Sequence, residues 1–337
     1  KLIHGDGHPD GPGFIEREVA CEANGAWSVK KQFTQIGSFL TVDDPAKHLA
    51  LDGGFTLFAF IHPTVPKWGT RQALMGRWDI TENRGYCLGI TQDAYLEFWV
   101  GDGKDMDYIR AEVPLLGNQW YFVAATFDRD SGRATLHQYG VDSRFGNRLG
   151  KVAGVDFESH VSETFRFFPD NAEDTPFAMA GSRDWHELRG HFYAQAYCGK
   201  IDRPGICSRV LSNQEVSALA GGGLPPDEAI HCYWDTTLGY TDDGISDKVI
   251  DTGPHALHAE GINRPNRGQT GWNWRGKNDC FRLAPEEYGG IDFHADAVLE
   301  CNWEVTKQLT IPHDLQSGVY AMRLRAGEPT SRGYGLG

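Results

Sequence analysis

The chain has 337 residues, with 46 acidic against 32 basic side chains and a formal net charge of -14. That balance runs against the basic face by which a duplex-DNA or RNA binder holds phosphates. At 40% hydrophobic and 12% aromatic residues the chain is too apolar to stay disordered, yet it holds no apolar run of about 18 residues that would span a membrane as a helix.

Forty-one glycines and 16 prolines suit many short strands joined by tight turns, and ten tryptophans with 18 phenylalanines can fill a large core. The seven cysteines contain no Cys-x-x-Cys pair, which excludes zinc-ribbon and thioredoxin-type readings. They read as reduced, mostly buried thiols of a cytoplasmic protein. The first residue is Lys1 and no charged-then-apolar leader follows it. The expectation is a processed start or a portion of a longer chain.

Residues 1–30 read as a turn-rich lead-in. Within it His4, Asp6, His8 and Asp10 alternate two metal-ligating residue types, but Asp-Gly and Gly-Pro turn dipeptides account for the same letters. From Phe33 onward the pattern is β. Residues 37–42, 55–63, 72–78, 85–90, 94–100, 120–128 and 134–139 are strand-length apolar or alternating runs, separated by turns such as Asp43-Asp44-Pro45 and Asp130-Ser131-Gly132. Strands at about 8–12 residue spacing predict an antiparallel sandwich. Residues 142–175 carry many charges and scattered aromatics and read as a long inserted loop. After 199–206 comes the one good helix signal. Ser212 stands three residues before Glu215, a capping box, and Gly221-Gly222-Gly223 stops the run.

Residues 55–63, the strand pair within 116–128, and Gly199-Lys200-Ile201-Asp202-Arg203-Pro204 followed by Ser208-Arg209-Val210-Leu211-Ser212 resemble a laminin-G-like, concanavalin-A-like jelly roll. In that family a Gly-x-Ile-Asp strand precedes a short helix, matched here at 211–215. The resemblance implies that Asp202 anchors a turn and that the helix plugs one end of the sandwich. Further on, Thr270-Gly271-Trp272-Asn273-Trp274 and the blocks at 283–296 and 311–327 are similar to the large (β) subunits of the N,N-dimethylformamidase family. This second resemblance implies hydrolysis of small amides and a mononuclear iron held by tyrosines, a histidine and a glutamate. It also implies assembly with a small subunit and further large subunits. The family's iron ligands lie in a domain after the block that ends near Gly327, so no residue here is assigned as one. Relatives often carry several acidic residues after the Phe-His pair, where this chain has Ala295-Asp296-Ala297.

Common catalytic signatures are missing: there is no Gly-x-Ser-x-Gly elbow, His-Glu-x-x-His or P-loop. No Glu-x-Asp-x-Glu run sets paired carboxylates on one strand face, which places a glycoside hydrolase last among the readings. Asp292, His294 and Asp296 would share a face if they lie on a strand, where they form either a metal site or a polar interdomain face. Trp272 and Trp274 would share a face by the same period, either exposed for stacking on a sugar or partner, or buried as a wedge between domains. His255 and His258 are loop histidines with ligand chemistry. The run 251–258 is expected to return to the sandwich and complete it. The acidic surplus is either a solvated surface or a face for a basic partner.

The resulting expectation is a mainly β protein. It has a lead-in over 1–30, a laminin-G-like sandwich with one short helix over 31–265, and a connector with the first strands of a following domain over 266–337. Residues 318–325 read as a strand. The function expected is that of a non-catalytic, N-terminal part of a dimethylformamidase-like amidohydrolase, acting on a small amide, with the iron-bearing domain beyond this chain. The alternative is a carbohydrate-binding lectin module, calcium-dependent in some forms, with Trp272 in its site. Neither reading involves nucleic acid or a membrane.

Overall fold

The computed structural model describes residues 2–4, 15–21, 27–30, 37–143, 145–146, 157–171, 175–186, 190–241, 244–295, 310–316 and 318–320. Two units divide at residues 299 and 300. Within the first, β1 (Leu2–His4), β2 (Ile15–Cys21) and β3 (Trp27–Lys30) pair antiparallel as a small sheet of their own. Strands therefore occupy the described part of the lead-in, where a turn-rich stretch was expected. The His4/Asp6/His8/Asp10 pattern falls mostly outside the described residues.

The sandwich is built from β4 (Phe39–Val42), β5 (Phe55–Pro63), β6 (Gln72–Asp79), β7 (Arg84–Ile90), β8 (Tyr95–Asp102), β9 (Met106–Pro114), β10 (Tyr121–Asp128) and β11 (Arg133–Gly140). It continues with β12 (Ser159–Thr164), β13 (Phe177–Met179), β14 (Ser182–His186), β15 (Gly190–Ala194), β16 (Gly199–Cys207) and β17 (Ile230–Asp235). A short hairpin, β18 (Tyr240–Thr241) and β19 (Gly244–Ile245), leads to β20 (Lys248–Asp251), β21 (Ala259–Ile262), β22 (Asn266–Gln269) and β23 (Gly290–Phe293). One layer runs β9-β8-β7-β6-β13-β4-β21-β20. The other runs β12-β11-β10-β5-β16-β23-β22. Strand β17 pairs with both β16 and β20 and so links the layers. The antiparallel sandwich expected from the strand spacing, of the concanavalin-A-like kind implied by the resemblance, is the fold observed.

Strand β5 shows why the layers stack. All nine of its residues are buried because both faces are covered. Phe55, Leu57, Ala59 and Ile61 enter the core between the sheets, while Phe58 and Phe60 join a second apolar cluster on the outer side. The helix α1 (Asn213–Ala220) lies over that outer side, with Val216 and Leu219 buried beside Phe58 and Phe122. It covers a sheet face, where an end plug was expected. Its capping box forms as the sequence indicates: the Ser212 amide donates to Glu215 Oε2 at 2.8 Å and the Glu215 amide to Ser212 Oγ at 3.3 Å. Arg209 clamps Glu215 at 2.6 Å.

Two expectations change here. The loop expected over 142–175 contains β12, which pairs with β11 along its whole length. Phe165 from the same segment is buried, its ring centroid 6.1 Å from Phe98 and 6.0 Å from Phe127. Polar letters in the β12 sequence misled because it is an edge strand with one wet face. The connector expected from 266 onward begins inside the sandwich, since β22 and β23 extend the β16 layer. Of the strand expected over 318–325, residues 321–325 lie outside the described residues, and 318–320 are irregular.

Replacing Phe165 by Ala removes a core ring and is expected to cost about 3–5 kcal/mol in urea unfolding. An exposed-loop phenylalanine would cost no more than about 0.5 kcal/mol.

Candidate functional site

The ionisable groups that sequence reading and structure bring together lie on the outer side of the β16 layer. Asp202 is fully buried near the middle of β16. Its Oδ1 accepts from Thr236 Oγ1 at 2.8 Å and its Oδ2 from the Trp272 amide at 3.2 Å. Burial raises its pKa, against the pull of Arg203 and of these donors. The chain segments beside it carry glycine for a steric reason. A Cβ on Gly271 would stand 2.5 Å from Asp202 Oδ2, and one on Gly289 would collide with Oδ1. The anchoring role implied for Asp202 is thus a cross-link between β16, the end of β17 and the 271–289 segment.

Two residues earlier on the same strand, Lys200 stands opposite Asp292 of β23 on one side and His62 of β5 on the other. Its Nζ donates to Thr270 Oγ1 at 2.8 Å. Burial lowers the Lys200 pKa and raises that of Asp292, and in each case the other's charge works the opposite way. His62 Nε2 lies 3.1 Å from the Gly146 carbonyl, and its Nδ1 has no partner among the described residues. Burial, followed by the Lys200 charge, lowers His62 to about 4. Asp292 and His294 are half-buried and alternate with buried Ile291, Phe293 and Ala295. His294 lies just past the end of β23, where its amide donates to Ser38 Oγ at 3.1 Å. Asp296 lies outside the described residues. Asp292 therefore faces an ammonium group, which competes with any cation for the same carboxylate. Among the described residues no three His, Cys, Asp or Glu side chains gather at metal-binding distances.

Trp272 and Trp274 do not share a strand face, because 271–274 is a turn closed by the Trp274 amide donating to the Gly271 carbonyl at 3.3 Å. The two-residue period fails for that reason. Trp272 stacks on Phe60 with centroids 4.2 Å apart and an interplanar angle of 5°, and Arg203 approaches its ring at 5.9 Å. Trp274 meets Phe145 edge-on at 6.3 Å and donates from Nε1 to the Asn278 carbonyl at 3.0 Å. Next to them Glu287, 1% exposed, is held by Arg275 at 2.6 Å. Burial pushes the Glu287 pKa up, but bonds from the Arg275 amide and guanidinium prevail and keep it low. His258 Nδ1 accepts from the Asp251 amide at 3.1 Å, and His255 stacks on His48 at 3.9 Å. Asp251 accepts from the amides of Tyr233, Gly253 and Leu257, each at 2.8 Å, and so closes the 251–258 turn.

The sequence reading missed Lys200, His62 and Glu287 as members of this group. The two-residue period places Lys200 and His62 on the outward face of their strands, but only the pairing brings them side by side. A groove of about 940 Å³ where the opposite layer meets β12 was also not foreseen. It is lined by Arg71, Glu97, Tyr108, Arg110, Glu112 and Glu163, among others. Arg71 pairs with buried Glu97 at 2.8 Å and lies over Trp99 at 5.3 Å, so its charge is already committed to the fold.

Two outcomes test this geometry. Trp272→Ala strips the stack from Phe60 and is expected to lower stability by about 3 kcal/mol. His62, depressed in the folded state, contributes stability that is complete above pH 6.5 and lost as pH falls toward 4, about 3 kcal/mol over that window. Urea unfolding at pH 7 and pH 4.5 should show a smaller acid loss in His62→Gln than in the wild type.

Known proteins match this chain in two ways. Residues 35–143 match the family described as the concanavalin A-like lectin/glucanases superfamily, and residues 266–334 match the family described as N,N-dimethylformamidase beta subunit-like, C-terminal. The N,N-dimethylformamidase beta subunit of Paracoccus aminophilus is 35% identical over 97% of this chain, and that of Alcaligenes sp is 32% identical over 96%. The chain spans 43% of the length of each. Among solved structures, a Bacteroides ovatus ATCC 8483 protein described as carbohydrate binding is 19% identical, with a TM-score of 0.46, covering 66% of this chain and 55% of that one. That likeness is too remote to bear on function. Over nearly its whole length the chain is similar to the N,N-dimethylformamidase beta subunits, and its described residues form a concanavalin A-like sandwich.

Proposed function

We propose that this chain is a non-catalytic part of the large subunit of an N,N-dimethylformamidase-like amidohydrolase, with small-amide hydrolysis carried out by residues outside it. The observation that carries this reading is how the buried ionisable groups are used. Asp202, Asp251 and Glu287 each accept hydrogen bonds that close the fold, and Lys200 is held by Thr270. A general acid or base needs a reachable proton and an opening to substrate. These groups have donors or acceptors of the fold in those positions.

The iron implied by the family resemblance does not fit the residues described. Of the nearest pair, Asp292 and His294, Asp292 faces Lys200, and no third acidic, cysteine or histidine side chain joins them among the described residues. The sandwich is read as a scaffold that presents an acidic outer surface to the small subunit and to further large subunits. The reading of the protein as cytoplasmic rests on its thiols. Cys87, Cys207 and Cys232 are buried, and burial raises the pKa of each, as suits inert reduced cysteines. No described helix is long and apolar enough to cross a membrane.

The lectin alternative loses its main residue, since one partner of the Trp272 ring is already Phe60. The test uses the full-length large subunit assembled with its small subunit and carrying Asp292→Asn with His294→Gln. The expected result is kcat for N,N-dimethylformamide within about threefold of wild type, with unchanged iron content. A loss of about a hundredfold or more in kcat, with assembly intact, would place catalytic residues in this chain.

A further inference from the structure

On the solvent side of the outer sheet, β11 and β12 set two histidines directly opposite each other, His137 and His160. Their Nδ1 atoms point at one another across 3.2 Å, and their rings are tilted by 71°. Two unprotonated nitrogens at that distance repel, so something positive must lie between them. It is either a hydrogen on one Nδ1 or a cation. Two imidazole ligands at about 2.0–2.1 Å from a tetrahedral metal stand about 3.3 Å apart, which is close to the spacing already present.

The surroundings hold this arrangement in place. His137 is 1% exposed, fixed in the sheet between β10 and β12. His160 is exposed, with its ring packed edge-on against Tyr139 at 4.7 Å. The next cross-strand pair, Thr135 and Ser162, is hydrogen-bonded through its hydroxyls at 2.8 Å, which pins the register. The two donors are therefore preset by backbone pairing, and little side-chain ordering remains to be done on binding.

We propose that His137 and His160 form a two-imidazole site for a borderline transition-metal dication such as zinc, nickel or copper(II). Each imidazole gives the lone pair of its Nδ1. The hydrogen that bridges the two nitrogens in the neutral metal-free pair moves to the Nε2 of the same ring, and the metal takes its place. Water, or a residue of a partner chain, fills the remaining positions. Neither the family's iron nor the proposed amide hydrolysis is involved.

Calorimetric titration of the full-length protein with zinc chloride at pH 7.5 tests this. The expected result is one zinc bound per chain at this site, with His160→Ala weakening that binding at least about tenfold. His160 is exposed, so the variant should fold, and its melting temperature without metal serves as the check. A second variant, His48→Ala with His255→Ala, removes the other histidine cluster and should leave the site's affinity unchanged. Equal affinity in His160→Ala and wild type, loss of the site in the His48/His255 variant only, or no zinc binding at about 1 mM would each overturn the proposal.

Discussion

A single buried carboxylate holds the architecture together. Asp202 sits in the strand shared by the two halves of the outer layer, and both of its oxygens are occupied by donors far away in the chain, Thr236 Oγ1 and the Trp272 amide. A buried carboxylate is costly unless it is satisfied. The chain meets that cost by shaping its neighbours. Gly271 and Gly289 keep space clear around the oxygens, and Trp272 is thereby delivered onto Phe60. Without that anchor the 270–289 segment has no strand pairing of its own to hold it, since β22 and β23 pair only at either end of it.

The same constraint decides how the surface is used. The outer face of the β16 layer carries α1 and Trp272, and the polar row of His62, Lys200 and Asp292 lies on the same face. Desolvation works against charge in this row, lowering the Lys200 pKa and raising that of Asp292, while each group's charge favours the other's. With Lys200 bonded to Thr270 and paired in register with Asp292, the row is in keeping with the scaffold role proposed above.

Much of the sandwich could be read from local pattern. The apolar run of β5 and the Asp130-Ser131-Gly132 turn follow from period and turn chemistry, and the Ser212–Glu215 box marks the helix start. These signals are local, and so are the interactions behind them. What was hidden depends on pairing between distant segments. Edge strand β12 looks like a loop because one of its faces meets water. Trp272 and Trp274 look like strand partners until the turn at 271–274 is known. Lys200, Asp292 and His62 come together only through register, as do His137 and His160. The family resemblance reached the 283–296 block by its letters, but not the fact that its Gly290–Phe293 portion is a strand of the sandwich.

The central claim is that Asp202 locks the 270–293 segment to the sandwich. Hydrogen exchange of the Asp202→Ala variant, followed by mass spectrometry, measures it most directly. The account predicts that amides of 270–289 and the Trp272 amide lose protection, while β10 and β11 keep theirs. Unchanged protection across 270–289 would contradict it.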